Sequence, residues 1–445
     1  WKQIKPNSAY DWINQRSDDF VSFPAIRNKD KKNEVKEVIF QQYSLGVNTG
    51  QDAWTYNFSY DTVSNNIKLM SNEFNKAVDE FYSGNTSYQN LDDFIQSSSY
   101  KVKWGRTLKK RLESGRKSFF STQKIVCSLY RPYVKQWLYF DPDRFFNNEI
   151  YRLPKLFPEP SVENFAITVT GPGSTKSFST LIVRYIPCFD MIDKTQTFSL
   201  YTYEPANEDT ELVIQIEGET IITAPCGKKY IRKENITDWA LNQYRQRYGE
   251  QVTKEDIFYY VYGLLHSLDY RKRYENDLKK VLPHIPFVKT SEDFWAFSQA
   301  GRDLAKLHLN YESIEPWPLV EEIKGDTNSL ETYKVKKMRF GKKPDKQKDK
   351  TVILYNENIT LREIPQEAYD YIVNGKSAIE WIMDRYQVKT DKKSGITNDP
   401  NKWLEEHNNP RYIVDLIKRV TRISVETVRI MKGLPELDIE TPEQG

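Results

Sequence analysis

Residues 101–117, KVKWGRTLKKRLESGRK, carry eight cations (Lys101, Lys103, Arg106, Lys109, Lys110, Arg111, Arg116 and Lys117) against one carboxylate, Glu113. This local charge of +7 lies in a chain whose formal total is +3, so the remaining residues sum to −4. On a helix, Arg106, Lys109, Lys110 and Glu113 share one face, and Gly115 is placed to end it. Cations so grouped suit phosphate oxygens, because each phosphate they neutralise releases condensed counterions and strengthens binding. The same spacing also describes a helix face that only meets water.

Other reactive residue types do not assemble. His266, His284, His308 and His407 are scattered, no pair has metal-ligand spacing, and no metal site is expected. Cys127, Cys188 and Cys226 are odd in number and far apart, which reads as buried thiols in a reducing cytoplasm. GPGSTKS at 171–177 lacks the spacer and the Gly-Lys-Ser/Thr order of a phosphate loop and reads as a β-turn. Pro344-Asp345 precedes no acidic-x-Lys strand, so no nuclease site is assigned. An adenine methyltransferase needs a Gly-rich cofactor loop and an Asn/Asp-Pro-Pro-Tyr/Phe segment, and the sequence contains neither. No catalytic residue is assigned.

The elements that must carry the basic run divide into three regions. At 445 residues the chain suits two to three domains, and no apolar run approaches the 18 residues of a membrane span. Starting at Trp1 with no Met and no leader, it reads as a segment of a longer polypeptide. Residues 1–100 form a linker region, anchored by Trp12 and by Phe20 to Phe23, with a charged loop at 29–36 and helix at 61–97. Residues 101–234 form a β-rich subdomain holding the basic run. Its strands fall in 125–145, where Arg131-Pro132 marks a turn because Pro cannot serve a central ladder, and in 165–203. Residues 235–445 are mainly helical, with helices over 239–248, 292–309, 365–374, 377–386 and 410–431. A β-hairpin at 333–361 interrupts them, its tip 342–350 too polar to pack and read as a solvated loop. The fold class is α+β, with a β-containing N-terminal half and a largely helical C-terminal half.

The sharpest pattern is TKEDIFYYVYGLLHSLDYRKRYENDLKKVLPHIPF, residues 253–287. Thr253 and Asp256 form a capping pair, and Ile257, Tyr260, Val261, Leu264, Leu265 and Leu268 recur at helical spacing. Ser267 can cap a second helix along Tyr270, Tyr274, Leu278 and Val281, with Arg271, Lys272 and Arg273 toward water, until Pro283 and Pro286 end it. Two helices so closely joined form a hairpin.

The wording of this hairpin resembles the Tyr-x-Tyr-Gly-x-Leu-His-Ser-x-x-Tyr-Arg … Leu-Pro-Arg-Ile-Pro-Phe signature of the single-chain Type I (Type ISP) restriction-modification enzymes. His284 stands where that pattern usually has Arg, and Leu268 where it often has Pro. GVNTGQDAWTYN at 46–57, SLYRPYVKQWLYFD at 128–141 and the block from Tyr355 to Trp403 are similar to further segments of the family; Gln51 replaces a common Arg. The resemblance implies a C-terminal target recognition domain that reads double-stranded DNA and directs adenine-N6 methylation and ATP-dependent translocation and cleavage by upstream domains. S-adenosylmethionine, ATP and Mg would serve the full-length enzyme, with no cofactor in this segment. The implied partners are duplex DNA and the upstream methyltransferase and translocase of the same chain, in the cytoplasm and without a membrane. The candidate DNA contacts are Lys101, Lys103, Arg106, Lys109, Lys110, Arg116, Lys117 and Arg131. Two other classes stay open: a structural coupler that braces the methyltransferase without base readout, and a single-strand or RNA-binding module.

Overall fold

The computed structural model describes residues 5–7, 10–27, 37–84, 90–97, 102–141, 143, 145, 150–206 and 219–440. Lys101 and the expected charged loop at 29–36 lie outside them. Helices and several small sheets alternate along the chain, an α+β fold.

Strands Ile125–Arg131 and Val134–Tyr139 pair antiparallel around the two-residue turn Pro132-Tyr133, where Tyr133 takes φ +60°. Tyr56–Asn57 extends this hairpin on one side, and Ile186–Pro187 joins it in parallel on the other. A second sheet orders Ser44–Leu45, Gln196–Ser199, Ala166–Val169 and Thr180–Val183. Every residue of its last three strands is buried, so both faces of that sheet are covered. GPGSTKS is a turn between two of these strands, with Gly173 at φ +76°.

The helical hairpin is built on glycine. Thr253 and Asp256 close a capping box at the start of Lys254–Leu264, which lies against Ser291–Leu309. The crossing is so close that a Cβ on Gly263 would stand 2.1 Å from the Phe297 carbonyl oxygen, and one on Gly301 1.9 Å from that of Tyr259. Only glycine permits this approach. The second arm departs from its expected course: it breaks at Tyr274 (φ −110°, ψ 26°) into Leu268–Arg273 and Glu275–Lys280. Leu268 is exposed, and Arg271 turns inward, its Nε donating to the Leu265 carbonyl at 2.6 Å. That bond satisfies a carbonyl at the end of the preceding helix, which water-facing placement would leave open.

Four further expectations are corrected. Trp12 is 61% exposed, whereas Phe20 and Phe23 are buried. Residues 365–374 hold only the 3-10 turn Gln366–Tyr369 and the strand Ile372–Val373, paired with Lys376–Ser377. Asn374 at φ +51° closes the tight turn between those strands, a conformation through which no right-handed helix continues. Cys226 is exposed, its thiol donating to Glu159 at 3.0 Å. The region 333–361 is not one hairpin: Arg339–Lys342, Lys348–Leu354 and Ile359–Arg362 run as three strands, and Val320–Ile323 adds a fourth. Ile353, Tyr355, Ile359 and Leu361 are fully buried, so the sheet belongs to the core.

Each of the three larger cores gathers residues from distant parts of the chain. One joins Phe20 and Ile39 to Phe198 and to the helices at 238–309; another joins Tyr56, Tyr133, Ile353 and Ile417. The third sits beneath the basic run.

Candidate nucleic-acid interface

The third core explains how the basic segment is held. Helix Tyr60–Tyr82 buries Ile67, Met70, Phe74 and Val78, the expected three- and four-residue line. Against it lies Arg106–Glu113, which buries Leu108 and Leu112 and exposes Arg106, Lys110 and Glu113. Gly115 (φ +64°) ends that helix, its N–H on the Leu112 carbonyl at 2.9 Å. The Tyr82 hydroxyl clamps the last turn through the Glu113 carbonyl at 2.6 Å.

The cations divide by partner. Lys109 pairs with Asp92 and Lys117 with Asp79, both at 2.6 Å. Arg111 is spent locally on the carbonyls of Lys117 and Asp143. Arg106, Lys110 and Arg116 are exposed and meet no carboxylate among the described residues. Arg106 also occupies the N-terminal turn, where the helix dipole disfavours a cation and no acidic residue offsets it. Its position serves the helix poorly and an external anion well.

Lys103 and Arg131 tie the segment to the family-like blocks. Lys103 Nζ donates to the Gly50 carbonyl at 2.7 Å, while the Gln51 side-chain amide donates to the Lys103 carbonyl at 3.0 Å. Asp52 accepts from Thr49 (2.5 Å) and from the Tyr130 hydroxyl (3.1 Å). Arg131 is half-buried behind them: it donates to the Tyr130 carbonyl at 2.6 Å and lies 4.1 Å over the Tyr130 ring. Burial alone would weaken its hold on the proton, but neighbouring groups, the Asp52 and Asp190 carboxylates among them, raise its pKa. Burial pushes the Cys188 thiol up to about 12, so it stays neutral. Arg131 thus braces the Tyr130–Asp52 junction from behind.

That junction opens on a cleft of about 220 Å³ lined by Asp52, Tyr56, Tyr130, Gln136, Arg385 and Lys389. Its far wall is the small hairpin Lys389–Thr390/Thr397–Asn398, held by Asn57 on the Thr397 carbonyl (3.1 Å) and by Asn398 on the Phe58 N–H (3.0 Å). At the hairpin tip, bonds from Ser394, with the charge of Lys103 nearby, keep the Asp391 carboxyl below its usual range. Periodicity does not reveal this hairpin, because its strands are two residues long. The one local signal for it is the Asp-Lys-Lys-Ser-Gly turn at 391–395.

Among the described residues no group of His, Cys, Asp or Glu could hold a metal ion, and no helix is long and apolar enough to cross a membrane. His266, His308 and Tyr262 are buried and bonded within the core.

No curated protein matches the chain. Among solved structures, a nuclease-deletion mutant of the Type ISP restriction-modification enzyme LlaGI, in complex with a DNA substrate mimic, is 35% identical with a TM-score of 0.79. The match covers 99% of this chain and 31% of that one. The ATP-dependent Type ISP enzyme LlaBIII bound to DNA is 32% identical over 99% of this chain and 26% of its own, TM-score 0.80. A DrdV–DNA complex is 27% identical over 98% and 41%, TM-score 0.79. The chain therefore spans between about a quarter and two-fifths of the length of these relatives. A family model for the Type ISP C-terminal specificity domain matches residues 38–416, and it is to this family that the chain belongs.

Proposed function

We propose that the chain is the target recognition domain of a cytoplasmic restriction-modification enzyme and reads an asymmetric sequence in duplex DNA. Upstream parts of the same polypeptide would perform adenine-N6 methylation with S-adenosylmethionine and translocation and cleavage with ATP and Mg; no cofactor is assigned to this segment. The observation that carries the reading is that relatives sharing 35% and 32% identity over 99% of the chain were solved on DNA or a DNA mimic. Arg106, Lys110 and Arg116, which meet no carboxylate among the described residues, support it, since phosphate contacts set the register in which bases are read.

Equilibrium binding of the 445-residue chain to fluorescent duplex, single-stranded DNA and RNA of one sequence, over a salt series, tests this. Duplex preference with affinity falling log-linearly in salt is expected. No duplex binding would favour a structural coupler, and tighter binding to either unpaired strand would favour a single-strand module.

A further inference from the structure

A second basic region lies far from the first in sequence. Residues 334–350, KVKKMRFGKKPDKQKDK, hold nine cations and two carboxylates, a net +7 equal to that of 101–117. Lys334 is taken by Glu331 and Glu405, and Lys350 by Glu380. Lys336, Lys337 and Arg339 are exposed and meet no carboxylate among the described residues. The same holds for Lys342, Lys346 and Lys348 around the hairpin tip, while Lys343 makes no ion pair among those residues but lies near enough to Asp349 to help lower its pKa. This tip is an ordered turn between paired strands: Lys342 is in register with Lys348, and a register shift at Phe340/Gly341 twists the pair.

Beside the hairpin runs an open groove of about 1090 Å³. Lys336, Lys337, Arg339, Leu354, Asn358 and Val388 line it, together with the carboxylates Glu331, Glu357 and Asp399. Its floor is fixed: Asn356 donates to the carbonyls of Thr332 and Lys334, and Asn401 to that of Val335, all within 2.9 Å. Asn358 differs, because its side-chain amide makes no hydrogen bond among the described residues. Leu354 and Val388 are each about two-fifths exposed. An arginine fork, a free amide and two apolar contacts are the groups that distinguish base edges: guanine, adenine and the thymine methyl respectively. The Lys336 carbonyl accepts from the Val388 N–H at 3.1 Å, which leads directly into the hairpin at 389–398 beside Lys103. The two basic regions therefore flank one element.

We propose that this groove and its hairpin are a second duplex-DNA contact, in which Arg339 and Asn358 face base edges while Lys342, Lys343, Lys346 and Lys348 hold the backbone. The proposal rests on the reading of the chain as a DNA recognition domain.

The test uses the 445-residue chain on a duplex pool randomised at its centre, with binding measured over salt and bound sequences read out. Replacing Lys342, Lys343 and Lys346 by Ala should weaken all sequences alike and lower the salt slope by about 0.9 for each phosphate no longer neutralised. Arg339→Ala with Asn358→Ala should reduce affinity for the enriched sequence roughly ten- to hundred-fold and relax one or two positions. Arg339→Lys, which keeps the charge and loses the fork, should relax preference with little change in slope. If the unaltered chain binds duplex and all three variants match it in affinity, slope and preference, the groove assignment is overturned while the DNA reading stands. If the unaltered chain binds no duplex, the reading itself fails and this inference with it.

Discussion

Single residues in the basic run make separable forecasts because their partners differ. Arg106→Ala, Lys110→Ala and Arg116→Ala, whose side chains meet no carboxylate among the described residues, should each weaken binding to every duplex and lower the salt slope by about 0.9. Lys109→Ala and Lys117→Ala should do less, since Asp92 and Asp79 already hold those ammonium groups. Affinity measured for the five variants over a salt series checks the ranking; equal effects would contradict it. A second residue-scale forecast concerns pH. Burial and the Arg271 charge press the His308 pKa from 6.5 to about 3, and burial chiefly lowers that of His266. Between those values the unfolded chain binds a proton that the folded core rejects. Stability should therefore be full above about pH 6.5 and fall by up to about 1.4 kcal/mol per pH unit for each histidine as the medium acidifies. Urea denaturation between about pH 7.5 and 5 checks this. A flat profile would count against it.

Among elements, the glycine crossing is the most exposed to test. Gly263→Ala or Gly301→Ala drives a methyl into a facing carbonyl, and each should cost about 3 kcal/mol, at the upper end of overpacking penalties. A shift of the denaturation midpoint below that expected for about 1 kcal/mol would mean that the helices separate easily. This element is also the most legible in the sequence: caps at Thr253 and Ser267 and the line from Ile257 to Leu265 depend on local spacing, and all are present. What the sequence hides depends on distant partners. Arg271 reads as a water-facing cation until the carbonyl of Leu265 is placed beside it. Residues 365–374 look helical until Ile372–Val373 finds Lys376–Ser377. The basic helix at 106–113 follows from its own spacing, but nothing local tells Arg106 from Lys109, because Asp92 is contributed by another helix.

At the scale of the molecule, one core interleaves residues from 20 to 439 and carries the family signature near 253–287, while the basic run near 101–117 sits on a separate core whose buried residues fall within 54–145. The candidate contacts lie on the outside, supported from beneath by Leu108 and Leu112 in one case and by Ile353 and Tyr355 in the other. With no cofactor loop or base-holding Pro-Pro segment in the sequence, the 445-residue chain should neither methylate DNA nor hydrolyse ATP. Radiolabelled methyl transfer and phosphate release check this, and turnover abolished by a substitution within the chain would refute it.

If the chain itself supplies the DNA address, it must sort duplex sequences unaided. Repeated selection of the purified chain on a randomised duplex pool, followed by sequencing, measures that most directly. Enrichment of one asymmetric motif is expected, relaxed at one or two positions when Arg339 and Asn358 are replaced and kept when Arg106, Lys110 and Arg116 are replaced at lowered salt. A pool that is bound but emerges unenriched would contradict it.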